Sequence, residues 1–298
     1  MGSPEFAVPC LEALARHHDV ALVVSQPDKP AGRGSQLTPP AVKVKASELG
    51  LPIAQPKSAR TGELAAALRE TGAELAVVVA YGKILPQAVL DVFPHFINVH
   101  ASLLPKYRGA APIQWAVIDG EPETGVSIMK LDAGMDTGPV FAMRRVAIDP
   151  DETSGELMAR LAPIGAEELL RVLPRISLEI PMQQDDSKAT HARMLTKADG
   201  AIDFTQPAAR VAARIRGVDP WPGAHATLRD QQVKLFRARA ADGGGPAGQV
   251  LAIDAAGMHV ACGDGAVVIR DIQAPGRKRL PAAQFASGRG VAVGDVLT

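Results

Sequence analysis

Two polar residues, Asn98 and His100, alternate with apolar ones in the run Ile97-Asn98-Val99-His100. If this run is a β-strand, its two-residue period puts both polar side chains on one face. A carboxamide that donates and an imidazole that donates or accepts form a pair suited to stabilising an oxyanion on an attacked carbonyl. The alternative is a buried Asn and His that only tie down neighbouring loops, and residue type alone favours neither interpretation.

A second polar cluster follows another apolar run, in Leu131-Asp132-Ala133-Gly134-Met135-Asp136-Thr137-Gly138-Pro139. From this loop Asp136 would orient His100 or accept, directly or through water, the proton that an attacking amine releases. An Asp beside Gly more often makes a side-chain turn, and without further context that structural role is the favoured interpretation of both aspartates.

The elements that must position these residues alternate between short apolar runs and helix-like stretches. The strand predictions are residues 20–25, 75–80, 97–100, 125–131 and 140–146, and the helix predictions are 9–17, 41–50, 62–70, 112–119 and 154–172. Nearly continuous apolar strands separated by helices predict an α/β fold with a Rossmann-like parallel sheet that is covered on both faces. Ligands in such sheets bind beyond the carboxyl ends of the strands.

The helix–strand rhythm ends near residue 176, where a polar stretch without a clean period begins. Short alternating runs then follow at 232–236, 248–253, 258–262 and 266–272, separated by turns that carry Gly and Asp. This pattern predicts a small β-barrel. We therefore expect a catalytic domain over 1–176, a linker over 177–202 and a barrel domain over 203–298.

Composition restricts the class of protein. The 298 residues carry no net charge, which argues against indiscriminate nucleic-acid binding, and 47% of them are hydrophobic. No run of 18 apolar residues could span a bilayer, and the first residues lack a secretory signal, so we expect a cytoplasmic protein without a membrane partner. Cys10 and Cys262 fit neither a disulfide framework nor a thiolate metal site, and we expect both to be apolar fillers.

The segment around His100 resembles the signature of the folate-dependent formyltransferases. The resemblance runs through Asn98-Val99-His100-Ala101-Ser102-Leu103-Leu104-Pro105 and continues in residues 4–9, 26–34, 80–86, 107–113, 123–129, 136–138 and 219–224. It covers nearly the whole chain and is least marked in the linker. Within the family, the features are most similar to the branch that formylates methionyl initiator tRNA.

The resemblance implies a reaction and its residues. It implies formyl transfer from 10-formyltetrahydrofolate, as co-substrate, to the α-amine of methionyl initiator tRNA, with Asn98, His100 and Asp136 as the catalytic trio. Ser102, Leu103, Leu104 and Pro105 would form the turn that cradles the folate. No metal is implied, and we expect a monomer whose second domain resembles an oligonucleotide-binding (OB) barrel.

The tRNA contacts follow from charge together with the resemblance. A loop rich in Pro and Gly carries Lys29 and Arg33 and leads into Lys43 and Lys45, whose cations suit phosphates. After the catalytic domain the candidates are Lys197, in the linker, and Arg210 and Arg214, which lie one helical turn apart in the second domain. The alternative interpretation is a solvated surface, which fits most such loops and exposed arginines.

One departure from the family concerns the first strand. In the family an apolar strand precedes the turn formed here by residues 2–7, so we expect this central strand to be missing and interpret Met1 as an internal methionine mistaken for the start. Its neighbours would then have unpaired backbone groups in a buried place.

Three other functions stay open. A formyltransferase that acts on an amino-sugar nucleotide shares the trio, and one that acts on a free purine precursor shares it but should lack the second domain. A non-catalytic RNA-binding module would keep the fold without the activity.

Overall fold

A computed structural model describes residues 1–31, 36–288 and 290–298. Its strands are β1 (Val23–Val24), β2 (Lys29–Ala31), β3 (Gln36–Thr38), β4 (Ile53–Ala54), β5 (Leu75–Val78), β6 (His95–His100), β7 (Arg108–Gly109), β8 (Glu123–Lys130), β9 (Val140–Ala147), β10 (His191–Ala192), β11 (Ala224–Leu228), β12 (Gln231–Ala241), β13 (Val250–Ile253), β14 (Met258–Ala261), β15 (Ala266–Gln273) and β16 (Leu280–Pro281). Its helices are α1 (Val8–His17), α2 (Ala41–Glu48), α3 (Glu63–Glu70), α4 (Gln87–Leu90), α5 (Pro112–Ile118), α6 (Ser154–Val172), α7 (Ala208–Gly217) and α8 (Ala282–Ser287). Every predicted helix and strand is present, although several ends are displaced.

The chain forms two compact units, each built from separate stretches. Unit 1 comprises residues 1–110, 125–146 and 158–192, and unit 2 comprises 111–124, 147–157 and 193–298. The segment that we predict as a linker, 177–202, is therefore divided between the units after residue 192. Each unit has a hydrophobic core of its own.

The sheet of unit 1 is mixed. β1 pairs with β4 in parallel, and a separate four-stranded sheet has the order β5-β6-β8-β9. β5 and β6 are parallel, whereas β8 is antiparallel to β6, with Ile97 opposite Lys130 and His100 opposite Ser127. The prediction of a wholly parallel sheet is therefore wrong at β8. Along most of β9, partly buried and exposed residues alternate, as expected of an edge strand with one solvated face.

Residues at the start of the chain lie between the β1-β4 pair and the four-stranded sheet of unit 1. The Gly2 N–H donates to Val24 O over 2.9 Å, and the Val79 N–H donates to Met1 O over 2.8 Å. The Met1 amine donates to Val77 O over 2.6 Å, and burial lowers the pKa of this amine to about 6. Beside it lies a cavity of about 880 Å³, lined by residues of β1, β5 and α1 among others. Met1 and Gly2 thus connect Val24 with Val79 beside this cavity.

Unit 2 is built on an antiparallel sheet of six strands with the order β11-β12-β15-β14-β13, and β16 pairs with β15. Its core includes Leu235, Met258 and Ile269 from the sheet and Ile215 from α7, all of them fully buried. Burial of such a side chain contributes about 1.5 to 3 kcal/mol. Among the described residues β11 does not pair with β13, but single bridges join Leu228 to Leu297 and Gln249 to Val296, so the last residues of the chain link the two edges.

The remaining composition-based expectations concern the bilayer and the thiols. In the described part of the chain, every helix is too short or too polar to cross a membrane. Cys10 and Cys262 are both buried and free, which confirms their prediction as fillers. Burial raises the pKa of the Cys10 thiol to about 12 and that of Cys262 to about 11, so both thiols stay protonated at neutral pH.

Candidate active site

Strand β6 fixes the first two residues of the site. It is paired on both sides, by β5 and by β8, so its backbone is held along both edges. Asn98 and His100 are only 8% and 5% exposed, and both side chains point toward the same carboxylate, that of Asp136. The alternation that we predicted for these two residues is therefore confirmed.

Asp136 lies in the loop between β8 and β9, with its backbone in the left-handed region at φ +54°. Its Oδ2 accepts a hydrogen bond from the Gly109 N–H over 2.8 Å and lies 3.6 Å from His100 Nδ1. Its Oδ1 makes a long contact of 3.5 Å with Asn98 Nδ2. The structure thus brings the side chains of Asn98 and His100 to the carboxylate of Asp136, so the three predicted catalytic residues lie together.

The tautomer of His100 follows from its second contact. His100 Nε2 lies 2.9 Å from the carbonyl oxygen of Tyr107. Because a carbonyl can only accept, Nε2 carries a hydrogen, and in the neutral ring Nδ1 is the acceptor. Nδ1 is also the nitrogen that faces Asp136, so the ring can donate on that side only after it has taken up a proton.

These groups can polarise a carbonyl and move one proton. The Asn98 amide has only its long contact with Asp136 among the described residues, so it can turn a donor toward a substrate oxygen. His100 Nδ1 can accept a proton from an attacking amine, and the carboxylate of Asp136 would stabilise the resulting imidazolium. The arrangement suits the attack of an amine on a carbonyl carbon.

The predicted folate turn is held by internal hydrogen bonds. The Ser102 hydroxyl donates to Lys106 O over 2.6 Å, and the Ser127 hydroxyl donates to Ser102 O over 2.7 Å. Ser102 and Leu104 are buried, whereas Leu103 and Pro105 keep part of their surface exposed. The side chains of this turn that can reach a ligand without rearrangement are therefore Leu103 and Pro105.

The predicted tRNA-binding cations of unit 1 have acidic or amide partners. Lys29 Nζ donates to Gln26 Oε1, and Lys43 pairs with Asp28 at 2.7 Å. Lys45 pairs with Glu12 and Glu48, at 3.1 and 2.7 Å. The hydrogen bond to Glu48, with a smaller contribution from Glu12, raises the pKa of Lys45, and that from Lys43 lowers the pKa of Asp28. Arg33 lies outside the described residues.

The predicted cations of unit 2 differ in exposure. Lys197 is exposed in a short 3-10 turn, and α7 carries Arg210 and Arg214, which confirms the predicted helix. Arg214 is partly covered, with its guanidinium 5.6 Å from the Trp115 ring and 3.9 Å from Asp199. Lys197 and Arg210 are exposed, and Arg210 makes one long hydrogen bond, to Asp119 O over 3.4 Å, so both have more freedom than Arg214 to meet a phosphate.

Sequence reasoning missed the groups that hold the trio in place. Two are backbone groups, the Tyr107 carbonyl and the Gly109 N–H, and the role of a backbone group cannot be predicted from the type of side chain. A third is Gln184, whose amide donates to Asp136 O over 2.8 Å from the segment that we predicted as a linker. Its polar sequence neighbourhood gave no signal of this contact.

Comparison with known proteins identifies the family of this chain. Residues 2–173 match the formyl transferase family model, and residues 194–290 match that of the formyl transferase C-terminal domain. A methionyl-tRNA formyltransferase from Deinococcus radiodurans is 48% identical over 295 residues, which cover 98% of this chain and 92% of the relative. One from Sorangium cellulosum is 48% identical over 303 residues, covering 99% and 97%.

A solved structure shares the fold. WlaRD, a sugar 3N-formyl transferase crystallised in the presence of dTDP and 5-N-formyl-THF, matches with a TM-score of 0.68 over 93% of this chain and 97% of its own. Its sequence identity of 16% is low, so this likeness concerns the fold alone.

Proposed function

The chain belongs to the formyl transferase family, and from this premise we propose that it transfers a formyl group from 10-formyltetrahydrofolate to the α-amine of methionyl initiator tRNA, for translation initiation. Two relatives named methionyl-tRNA formyltransferase are 48% identical to this chain, across nearly their whole length and nearly the whole of this chain. The observation that carries the proposal is the convergence of Asn98, His100 and Asp136 in unit 1.

Each member of the trio has a role that its contacts support. The folate supplies a formyl group bound to nitrogen. Asn98 turns its amide N–H toward the oxygen of that group, which gains negative charge as the amine attacks. His100 takes the proton of the amine at Nδ1, since Nε2 is engaged by the Tyr107 carbonyl. Asp136 stabilises the charged ring, and the proton then returns from Nδ1 to the departing folate nitrogen.

The folate lies against the turn 102–105 in this proposal. Leu103 and Pro105 contact it with their exposed surfaces, because Ser102 and Leu104 are buried. The two Ser127 hydrogen bonds, to Ser102 O and from the Leu104 N–H, keep the turn in shape.

The tRNA contacts come from both parts of the chain. Lys29, Arg33, Lys43 and Lys45 serve the acceptor end from the catalytic domain (1–176), and Lys197, Arg210 and Arg214 serve the RNA from the segment that follows it. The barrel domain (203–298) is OB-like in this proposal, a view supported by the bridges that its last residues make to both sheet edges. Residues 177–202 connect the domains. The protein acts as a monomer in the cytoplasm, where initiator tRNA is charged.

Activity on a charged tRNA tests the proposal. The purified protein is incubated with 10-formyltetrahydrofolate and methionyl initiator tRNA, and the amino acid is released and analysed by mass spectrometry. We expect N-formylmethionine, and we expect it to disappear in His100→Ala. An amino-sugar nucleotide is the parallel acceptor, and formylation of the sugar without formylation of the tRNA rejects the proposal.

The RNA contacts are tested by salt dependence. Each lost phosphate contact should reduce the slope of log affinity against log salt by about one, so we expect a reduction of about two in Lys197→Ala/Arg210→Ala. Arg16→Ala/Arg69→Ala removes the same charge from exposed positions of α1 and α3 and is the matched control. Equal slopes in the two double variants contradict this assignment.

A further inference from the structure

Gln184 connects the two loops that carry the site. Its Nε2 donates to Asp136 O over 2.8 Å and to Gly138 O over 2.7 Å. Its Oε1 accepts from Arg108 Nε at 3.0 Å and from Arg108 Nη2 at 2.8 Å. A carboxamide has two N–H donors and two lone pairs, so this side chain is fully used in holding the loops together.

Arg108, the partner of Gln184, is itself held in place. Arg108 is 4% exposed and lies between Tyr107, whose carbonyl binds His100, and Gly109, whose N–H binds Asp136. β7 pairs in parallel with β10, and the Thr190 hydroxyl accepts from the Tyr107 N–H over 2.9 Å. Arg108, Gln184, Asp136 and Gly109 therefore form a closed ring of hydrogen bonds and backbone, to which His100 is joined through the Tyr107 carbonyl.

The backbone of both loops needs such support. Tyr107 and Asp136 adopt φ values of +59° and +54°, in the left-handed region that residues with a side chain rarely occupy. These conformations persist only where the surroundings hold them. Gln184 binds the carbonyl of one strained residue and the side chain that follows the other.

We propose that Gln184 is a positioning residue, which sets the distance between the Asp136 carboxylate and His100 Nδ1 without touching either substrate. This inference rests on the proposed function, since it concerns the same trio. It predicts that loss of the Gln184 amide slows the chemical step and leaves substrate binding largely unchanged.

The main test replaces Gln184 by Met, which keeps the volume and removes all four hydrogen bonds. A displacement of a catalytic group by about 1 Å costs roughly 100-fold, so we expect kcat to fall about 10- to 100-fold, with KM for folate and for tRNA within about twofold. Gln183→Met makes the same change at the exposed neighbouring position and should leave kcat within about twofold. Equal kcat in the two variants overturns the proposal.

Gln184→Glu separates positioning from general support. Glutamate keeps the acceptor for Arg108 but turns an oxygen toward the carbonyls of Asp136 and Gly138, which repels them. If Gln184 had no part in positioning the trio, the folded variant would keep the unaltered kcat; we expect kcat as low as in Gln184→Met. It also decides the question if the methionine variant does not fold, and an unaltered kcat then overturns the proposal.

A substrate-free readout keeps this inference distinct from the proposed function. The imidazole ¹⁵N signals of His100, assigned by comparison with His100→Gln, are recorded for Gln184→Met, Gln184→Glu and Asp136→Asn. If the unaltered protein makes no formylmethionine, the proposed function fails and this spectrum alone decides. A shift in the Gln184 variants toward that of Asp136→Asn supports positioning, and His100 signals identical to those of the unaltered protein overturn it.

Discussion

Replacing Asp136 by Asn removes the charge of the carboxylate and keeps its shape. The Asn oxygen can still accept from the Gly109 N–H, now at 2.8 Å, so the loop should keep its place. What is lost is the attraction between the carboxylate and the protonated ring of His100, whose Nδ1 lies 3.6 Å from Oδ2. At that distance two unit charges attract by about 1 kcal/mol in water and by about 4 to 5 kcal/mol at an effective dielectric constant near 20.

The side chain of Asp136 is 15% exposed, which puts its surroundings between these limits. We expect a loss of about 2 to 3 kcal/mol in the stabilisation of the transition state, which lowers kcat roughly 30- to 160-fold. Single-turnover formylation of methionyl initiator tRNA, quenched at successive times with both substrates saturating, measures this step. KM values should change little, because the interaction develops only when the ring is charged.

Asp132→Asn is the matched control. It lies in the same loop, is exposed, and accepts hydrogen bonds from Thr137 and Gly134 that an amide oxygen can also accept. We expect a rate within about twofold of the unaltered protein. The reasoning is refuted if Asp136→Asn, folded by circular dichroism, stays within about threefold of the unaltered rate, because the carboxylate would then contribute little to the charged state.

Three further predictions concern stability. In Gly138→Ala the new Cβ would overlap the Lys130 carbonyl oxygen, so we expect a loss of about 1 to 3 kcal/mol in thermal unfolding; Gly244→Ala, which meets open space, is the control, and equal losses would contradict the clash. The hydrogen bond from Arg193, joined by those from Thr196, lowers the pKa of Asp199; a lowered carboxylate pKa contributes stability that is present above about pH 4 and lost as the pH falls further. Asp199→Asn should therefore lower the free energy of unfolding in urea by about 1 to 2 kcal/mol near pH 7, and this loss should shrink steadily as the pH falls below about 4; a loss that does not change with pH would disprove this origin. With Met1 as the first residue, the amine pKa falls from 8.0 to about 6, so the unfolded chain binds more protons between these values and the free energy of unfolding should rise by about 2 kcal/mol from pH 6 to pH 8; an extension of about five apolar residues ahead of Met1 should abolish that slope, and its persistence would assign it to another group.

The elements that carry the trio could be predicted because their signals are local. The alternation of Asn98 and His100 with apolar neighbours requires only a strand, and β6 provides it. The direction of β8 could not be predicted, because an apolar strand has the same composition whether its buried neighbours run parallel or antiparallel. The choice depends on the path of the chain between the strands.

The supporting groups were beyond prediction for a related reason. The Tyr107 carbonyl and the Gly109 N–H are present in every peptide unit, and only the fold selects them. Gln184 is 48 residues from Asp136, in a stretch without periodicity, so nothing local marks it. For Lys43 and Lys45 the residue types correctly indicate positive charge, but not the acidic partners that three-dimensional proximity supplies.

The hydrogen bond between His100 and the Tyr107 carbonyl restricts proton transfer to one nitrogen of the imidazole ring. Because Nε2 donates its hydrogen to the Tyr107 carbonyl, the ring cannot relay a proton from one of its sides to the other. A proton that the ring takes up at Nδ1 must also leave from Nδ1, so the same atom, next to the Asp136 carboxylate, accepts the proton and gives it back. The nitrogen of the attacking amine and the departing nitrogen of the folate must therefore come within reach of Nδ1 one after the other.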